Sequence, residues 1–269
     1  MTNYSIAISS GGMKGMFTLG ALHGLNPVRD QVEQMACASS GVLNAAYFLA
    51  GQTEQAREVY QHLASSDFIK MRNLPPRMRI EYAWSLVFEN ERFKLDLEKV
   101  INAPTELIMP LLNVDTGNEE LFTNRATPEQ LTEVLKASIA VPVWYGGVVK
   151  IGKYDYIDGA VTNPFPLHLL NNIESRIIGI STKQRPFMYA PNKTMISAYA
   201  QYQYNADPEE SNVIQLKKSA NVARARIVAA QRDATLITPK KAFHQLTNDG
   251  SILENAFKDG VELAGAVIS

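Results

Sequence analysis

The stretch Tyr4-Ser5-Ile6-Ala7-Ile8-Ser9-Ser10-Gly11-Gly12 alternates and then meets a cluster of small residues, which predicts a buried first strand running into a loop. Apolar residues at 17, 21, 22 and 25 follow at helical spacing, closed by Asn26-Pro27. The same unit then recurs. Residues 32–38 predict a short strand, Ser39-Ser40-Gly41 a turn, and residues 42–49 a helix stopped by Gly51. Two strand-turn-helix units in succession point to an α/β sheet with its functional loops at the strand ends.

The 269 residues fit one domain of that class. A chain of this size buries roughly 70–75% of its unfolded surface, so a full core is available. Lys+Arg 26 against Asp+Glu 27 leaves a net charge of -1, removing any global electrostatic reason to expect nucleic-acid binding. The only cysteine, Cys37, excludes an intrachain disulfide framework and a cysteine-rich metal site. Met1-Thr2-Asn3-Tyr4 carries no basic run ahead of an apolar stretch, and residues 35–50 are too short and too polar to span a bilayer. A cytoplasmic protein, touching membranes at most from one side, is expected.

Outward from the two units, a helix is expected from Thr53 with that residue as its cap, and an aromatic-rich helix over 80–88. Residues 105–114 read as a strand turned back by Asp115-Thr116-Gly117-Asn118 into 120–123. Thr127-Pro128-Glu129 opens a further helix. Strands are expected at 148–151, 154–157, 176–180 and 235–239, and helices at 214–232 and 251–267. On the helix over 214–232, Lys217, Lys218, Arg224 and Arg232 share one side. That side reads either as a solvated face or as one attracted to an anionic lipid surface. Tyr82, Trp84, Leu86, Val87 and Phe88 read as core packing, or else as a lid or membrane-contact wedge.

Three loops carry candidate chemistry. Cys37-Ala38-Ser39-Ser40-Gly41 lies at a strand-to-helix turn, where small neighbours can hold a serine hydroxyl exposed for nucleophilic attack. It meets the Gly-x-Ser-x-Gly pattern in part, with Cys37 in the first glycine's place; a small-residue turn packing a helix on a strand is the alternative. Ser10-Gly11-Gly12-Met13-Lys14-Gly15 fails as a dinucleotide fingerprint because Ser10 replaces its first glycine, and no Gly-Lys-Ser or Gly-Lys-Thr follows to make a phosphate loop. Its surviving use is a set of backbone N–H groups at a helix amino end, aimed at a developing negative oxygen. Tyr154-Asp155-Tyr156-Ile157-Asp158-Gly159-Ala160 ends a strand in an aspartate followed by two small residues.

Together, in this order, the three motifs resemble the patatin-like phospholipases, a family of serine acyl hydrolases. Ser39-Ser40-Gly41-Val42-Leu43-Asn44-Ala45-Ala46 is similar to the family's elbow helix. Ala137-Ser138-Ile139-Ala140-Val141-Pro142 is similar to the segment before its aspartate strand, and residues 156–166 to the block around its catalytic aspartate. The carboxyl-terminal strand and helix look like those of compact bacterial members, and residues 53–101 match least. The resemblance implies one patatin-like domain over 1–269, a central, mostly parallel sheet flanked by helices in a three-layer sandwich. It further implies Ser39 as nucleophile, Asp158 as base, and the loop Gly11, Gly12, Met13, Lys14 and Gly15 as oxyanion hole, with no metal or organic cofactor. Lys14 stands where the family frequently has arginine.

A phospholipid or other acyl-ester substrate, cleaved through an acyl-enzyme, is then expected. A catalytically weak lipid-binding or scaffolding protein and an acyltransferase are the alternatives. An aspartate with a reference pKa near 3.9 is a poor base at neutral pH unless burial raises it. A triad of Ser39, Asp158 and either His168 or His244 also satisfies the α/β-hydrolase order, but that fold places several strands before its elbow and here only two precede Ser39.

Overall fold

The computed structural model describes residues 2–64, 68–70, 77–141, 145, 147–171, 174–184, 230 and 233–269. In chain order the elements are β1 (Tyr4–Ile8), α1 (Gly15–Gly24), β2 (Val32–Cys37), α2 (Ser40–Leu49) and α3 (Thr53–Leu63). A hairpin of β3 (Ile69–Lys70) and β4 (Arg77–Met78) follows, then α4 (Ile80–Phe88), α5 (Leu97–Asn102), β5 (Glu106–Asn113), β6 (Glu119–Thr123) and α6 (Pro128–Ala137). The chain closes with β7 (Val149–Ile151), β8 (Tyr154–Asp158), β9 (Arg176–Ile180), β10 (Thr235–Ile237) and α7 (Gly250–Ile268).

The main sheet runs β10-β9-β1-β2-β5-β8-β7, with β6 paired to β5. Strands β10, β9, β1, β2 and β5 are mutually parallel, β6 and β8 pair antiparallel to β5, and β7 pairs antiparallel to β8. The result is a mixed, mostly parallel sheet flanked by helices. Its strands alternate as a pleat requires: Ile6, Ile8, Leu107, Met109 and Leu111 enter the main core with the helices, whereas Ala7 and Leu112 join smaller clusters on the other face. Among the described residues, no helix is long and apolar enough to cross a membrane.

Two features of this frame position the site. Helix α7 crosses α1 at backbone contact: a Cβ on Gly20 would lie 2.1 Å from the carbonyl oxygen of Phe257, so only glycine fits there. The register also aligns the motif loops. Ile8 is level with Cys37, which sets the glycine loop and the elbow side by side at the ends of two central parallel strands. Ala36 is level with Ile108 and Leu111 with Asp158, so Ser39, three residues beyond Ala36, rises to the height of Asp158.

Helix α2 begins at Ser40, earlier than the turn residues suggested, and Gln52 rather than Thr53 is the cap position of α3. Thr53 is the first helical residue, its hydroxyl engaged with His23 Nδ1 at 3.0 Å. Helix α6 opens at Pro128 as expected, with Thr127 as its cap accepting from the Gln130 amide. Strand β10 stops at Ile237. The helix expected over 214–232, with the basic side that would meet an anionic membrane, falls outside the described residues apart from Ala230.

Candidate active site

Ser39 has φ 56° and ψ -132°, the only non-glycine with positive φ among the described residues. This conformation costs about 1–3 kcal/mol and persists only where its surroundings enforce it. Serine at a helix N-cap ordinarily spends its oxygen on the first turn's amides; Ser39 makes no such bond. Its hydroxyl is left for other partners while the side chain remains 7% exposed. Cys37, two residues earlier, ends β2 without positive φ, so the first elbow position asks nothing that only glycine provides. The thiol is fully buried and its pKa is pushed up by desolvation, keeping it protonated and inert.

Asp158 ends β8 with a carboxyl that is 0% exposed. Desolvation raises its pKa to about 7, against smaller downward pulls from the Ser39 side chain and the Ala160 amide. Oδ1 accepts from Ala160 N at 2.8 Å, while Oδ2 has no partner in strict hydrogen-bond geometry. The Ser39 hydroxyl is therefore close enough to act on the carboxyl but short of a closed bond. No histidine is among the groups acting on Asp158. His244 instead accepts from the Leu246 amide through Nδ1 at 3.2 Å, and His168 sits in the short 3-10 turn Leu167–Leu169.

The glycine loop forms a single 3-10 turn, Gly12–Lys14, leading into α1, and Gly12 takes φ +56° there. The five loop residues divide by where their amides go. Met13 N donates to Gln245 O at 3.0 Å, Lys14 N to Gly11 O at 3.1 Å, and Gly15 N to carbonyls of the turn. Among the described residues, the amides of Gly11 and Gly12 donate to no acceptor, and neither does that of Ser40 at the start of α2. Ser40 was not singled out from sequence, although an amide immediately after a nucleophilic serine at a helix start is a recurrent oxyanion donor. Lys14, within this loop, lies near Lys183; burial lowers both pKa values, and Lys14 lowers that of Lys183 further.

A buried network locks the two loops together. Asn44 Nδ2 donates to Gly15 O and to Thr18 Oγ1, each at 2.8 Å, and Thr18 Oγ1 donates to Gly15 O at 3.0 Å. The Tyr60 hydroxyl donates to Asn44 Oδ1 at 3.2 Å, and burial pushes its pKa up to about 12. Helices α1, α2 and α3 are thereby pinned at the point where the glycine loop meets the elbow.

Ser39 and Gly12 open onto an apolar cleft with about 680 Å³ of empty space including its mouth, walled by α2, α3, α4 and the β3–β4 hairpin. Of the aromatic-rich segment, Ile80, Ala83 and Val87 face the cleft. Trp84 stacks edge-on against Tyr145 at 5.2 Å, and Tyr82, Trp84 and Phe88 pack against the main core.

The profile of a family described as patatin-like phospholipase matches residues 6–171. Probable lipid hydrolase 463L of Invertebrate iridescent virus 6 is 25% identical over 183 residues, covering 61% of this chain and 62% of that protein. The chain thus spans less than two thirds of that relative's length. The crystal structure of VipD from Legionella pneumophila superposes with a TM-score of 0.47 at 11% identity, covering 88% of this chain and 71% of that one.

Proposed function

The chain belongs to the patatin-like phospholipase family, and on that premise we propose that it hydrolyses lipid acyl esters with Ser39 as nucleophile and Asp158 as general base. The observation that carries this reading is the strained, uncapped Ser39 beside a fully buried Asp158 whose pKa of about 7 suits proton transfer at neutral pH. Ser39 Oγ attacks the acyl carbonyl carbon while its proton passes to the Asp158 carboxylate. The Gly11, Gly12 and Ser40 amides receive the developing oxyanion. Collapse expels the alcohol, which takes the proton from Asp158 and leaves an acyl-Ser39 ester. Water, deprotonated by Asp158, then attacks that ester; as the tetrahedral adduct collapses, Asp158 returns the proton to the departing Ser39 Oγ and the fatty acid is released.

Intact-mass labelling with an alkyl fluorophosphonate tests the reading directly. One adduct is expected on the native chain and none on Ser39→Ala, together with Ser39-dependent hydrolysis of short p-nitrophenyl esters that survives His168→Ala. Labelling of Ser39→Ala, or a His168→Ala protein as inactive as Ser39→Ala at unchanged melting temperature, would overturn it. Labelling without turnover would favour the catalytically weak lipid binder. Ester formation with an added alcohol in place of hydrolysis would favour the acyltransferase.

A further inference from the structure

We propose that the cleft beyond Ser39 is a slot for one straight acyl chain of about eight carbons, closed at its far end by Tyr47 and Val87. The proposal rests on Ser39 as the point of acyl attachment. From that point the slot follows α2, presenting Leu43 and then Tyr47 on successive turns.

The far end can be placed from backbone contacts. The Tyr47 hydroxyl donates to Phe93 O at 2.7 Å, and Leu95 N donates to Val87 O at 2.9 Å. Tyr47 and Val87 therefore rest on the same short segment between α4 and α5, and they are only 2% and 1% exposed. That end is stopped by packed protein. Ala83, one turn before Val87 on α4, is 3% exposed and contributes the smallest side chain on its wall.

The length follows from helix geometry. Ser40 to Tyr47 is about two turns, roughly 10 Å at the α-helical rise. An extended alkyl chain built from bonds of about 1.5 Å advances about 1.25 Å per bond, so roughly eight carbons reach the floor. The lining is apolar over that length, as an alkyl chain requires. Substrates are accordingly esters in which one medium-length chain enters and the alcohol portion stays outside the slot.

The test compares straight-chain p-nitrophenyl esters from acetyl to palmitoyl, alongside binding of the corresponding free fatty acids to the Ser39→Ala protein by calorimetry. In the native chain kcat/KM is expected to rise about four-fold per methylene, peak near eight carbons, and fall beyond ten; fatty-acid affinity should peak at the same length. Ala83→Leu should move both optima shorter by two to three carbons, and Val87→Ala should move both longer by one or two. Opposite shifts cannot come from general destabilisation. Optima left in place by both variants, or a gain that continues undiminished to palmitoyl, would overturn the slot while leaving Ser39 catalysis intact. Fatty-acid binding with the expected optimum and shifts in a protein that hydrolyses no ester would uphold the slot and remove the hydrolase reading.

Discussion

Asn44 Nδ2 lies 2.8 Å from the carbonyl oxygen of Gly15, joining the helix that begins at the serine elbow to the helix that begins at the glycine loop. The bond fixes the spacing between Ser39 and the free amides of Gly11 and Gly12, the spacing on which the proposed oxyanion stabilisation depends.

Asn44→Ala should lower unfolding free energy by about 2 kcal/mol, because buried partners lose a donor and an acceptor, and should reduce kcat about ten-fold. Asn44→Asp keeps the shape but turns an acceptor toward the Gly15 carbonyl, so it should be the more damaging of the two. Urea unfolding and steady-state kinetics check the order. Equal stability for both variants would mean that the amide's direction is unimportant.

Asp158 sets a pH dependence in both stability and rate. Its folded pKa of about 7 lies above its ordinary value of 3.8. Between about pH 4 and pH 7 the unfolded chain releases a proton that the folded chain retains, so this group's contribution to stability falls as pH rises and levels off above pH 7. The shift corresponds to at most ~4 kcal/mol. Asp158→Asn should therefore match the native protein at pH 4 and exceed it by a few kcal/mol at pH 8, while losing at least ~100-fold in turnover. Native kcat/KM should rise through pH 7 as the carboxylate forms.

Strain at Ser39 predicts that Ser39→Gly and Ser39→Ala are both inactive but differ in stability. Glycine adopts φ 56° without penalty, so Ser39→Gly should be more stable than Ser39→Ala by about 1 kcal/mol, or roughly 2 °C in Tm for a chain of this length. Calorimetry on the two inactive proteins makes the comparison free of substrate effects.

Cys37→Gly should fold but lose about 1–2 kcal/mol, since a buried strand residue loses its packing and glycine adds chain entropy to the unfolded state. Activity of the folded fraction should persist. In the native protein the thiol should resist Ellman's reagent until denaturant is added; rapid native reaction would show that β2 opens.

The two amino-terminal strand-turn-helix units were legible because small-residue turns punctuate strong apolar patterns, and β1, α4 and β9 begin and end where those patterns do. Helix α5 escaped notice because its six residues are too few to show a period, although Asp96 caps it through the Lys99 amide. The β3–β4 hairpin has two residues per strand, below the length at which alternation is visible. At the proposed site, the three motifs supply the candidate side chains, and the fold brings their loops together. The partition of amides among Gly11, Gly12, Met13, Lys14 and Ser40 was not legible, because it depends on where the distant Gln245 carbonyl arrives.

That arrival has a consequence for how the molecule comes into being. Ser39 and Asp158 are both synthesised well before Gln245, which orders Met13, and before Phe257, whose backbone seats Gly20 in the helix leading from the glycine loop. A nascent chain that has not yet reached Gln245 thus holds both side chains without the contact that orders the glycine loop. The shape of the glycine loop is thus a long-range property, complete only when segments more than two hundred residues downstream have folded back against it.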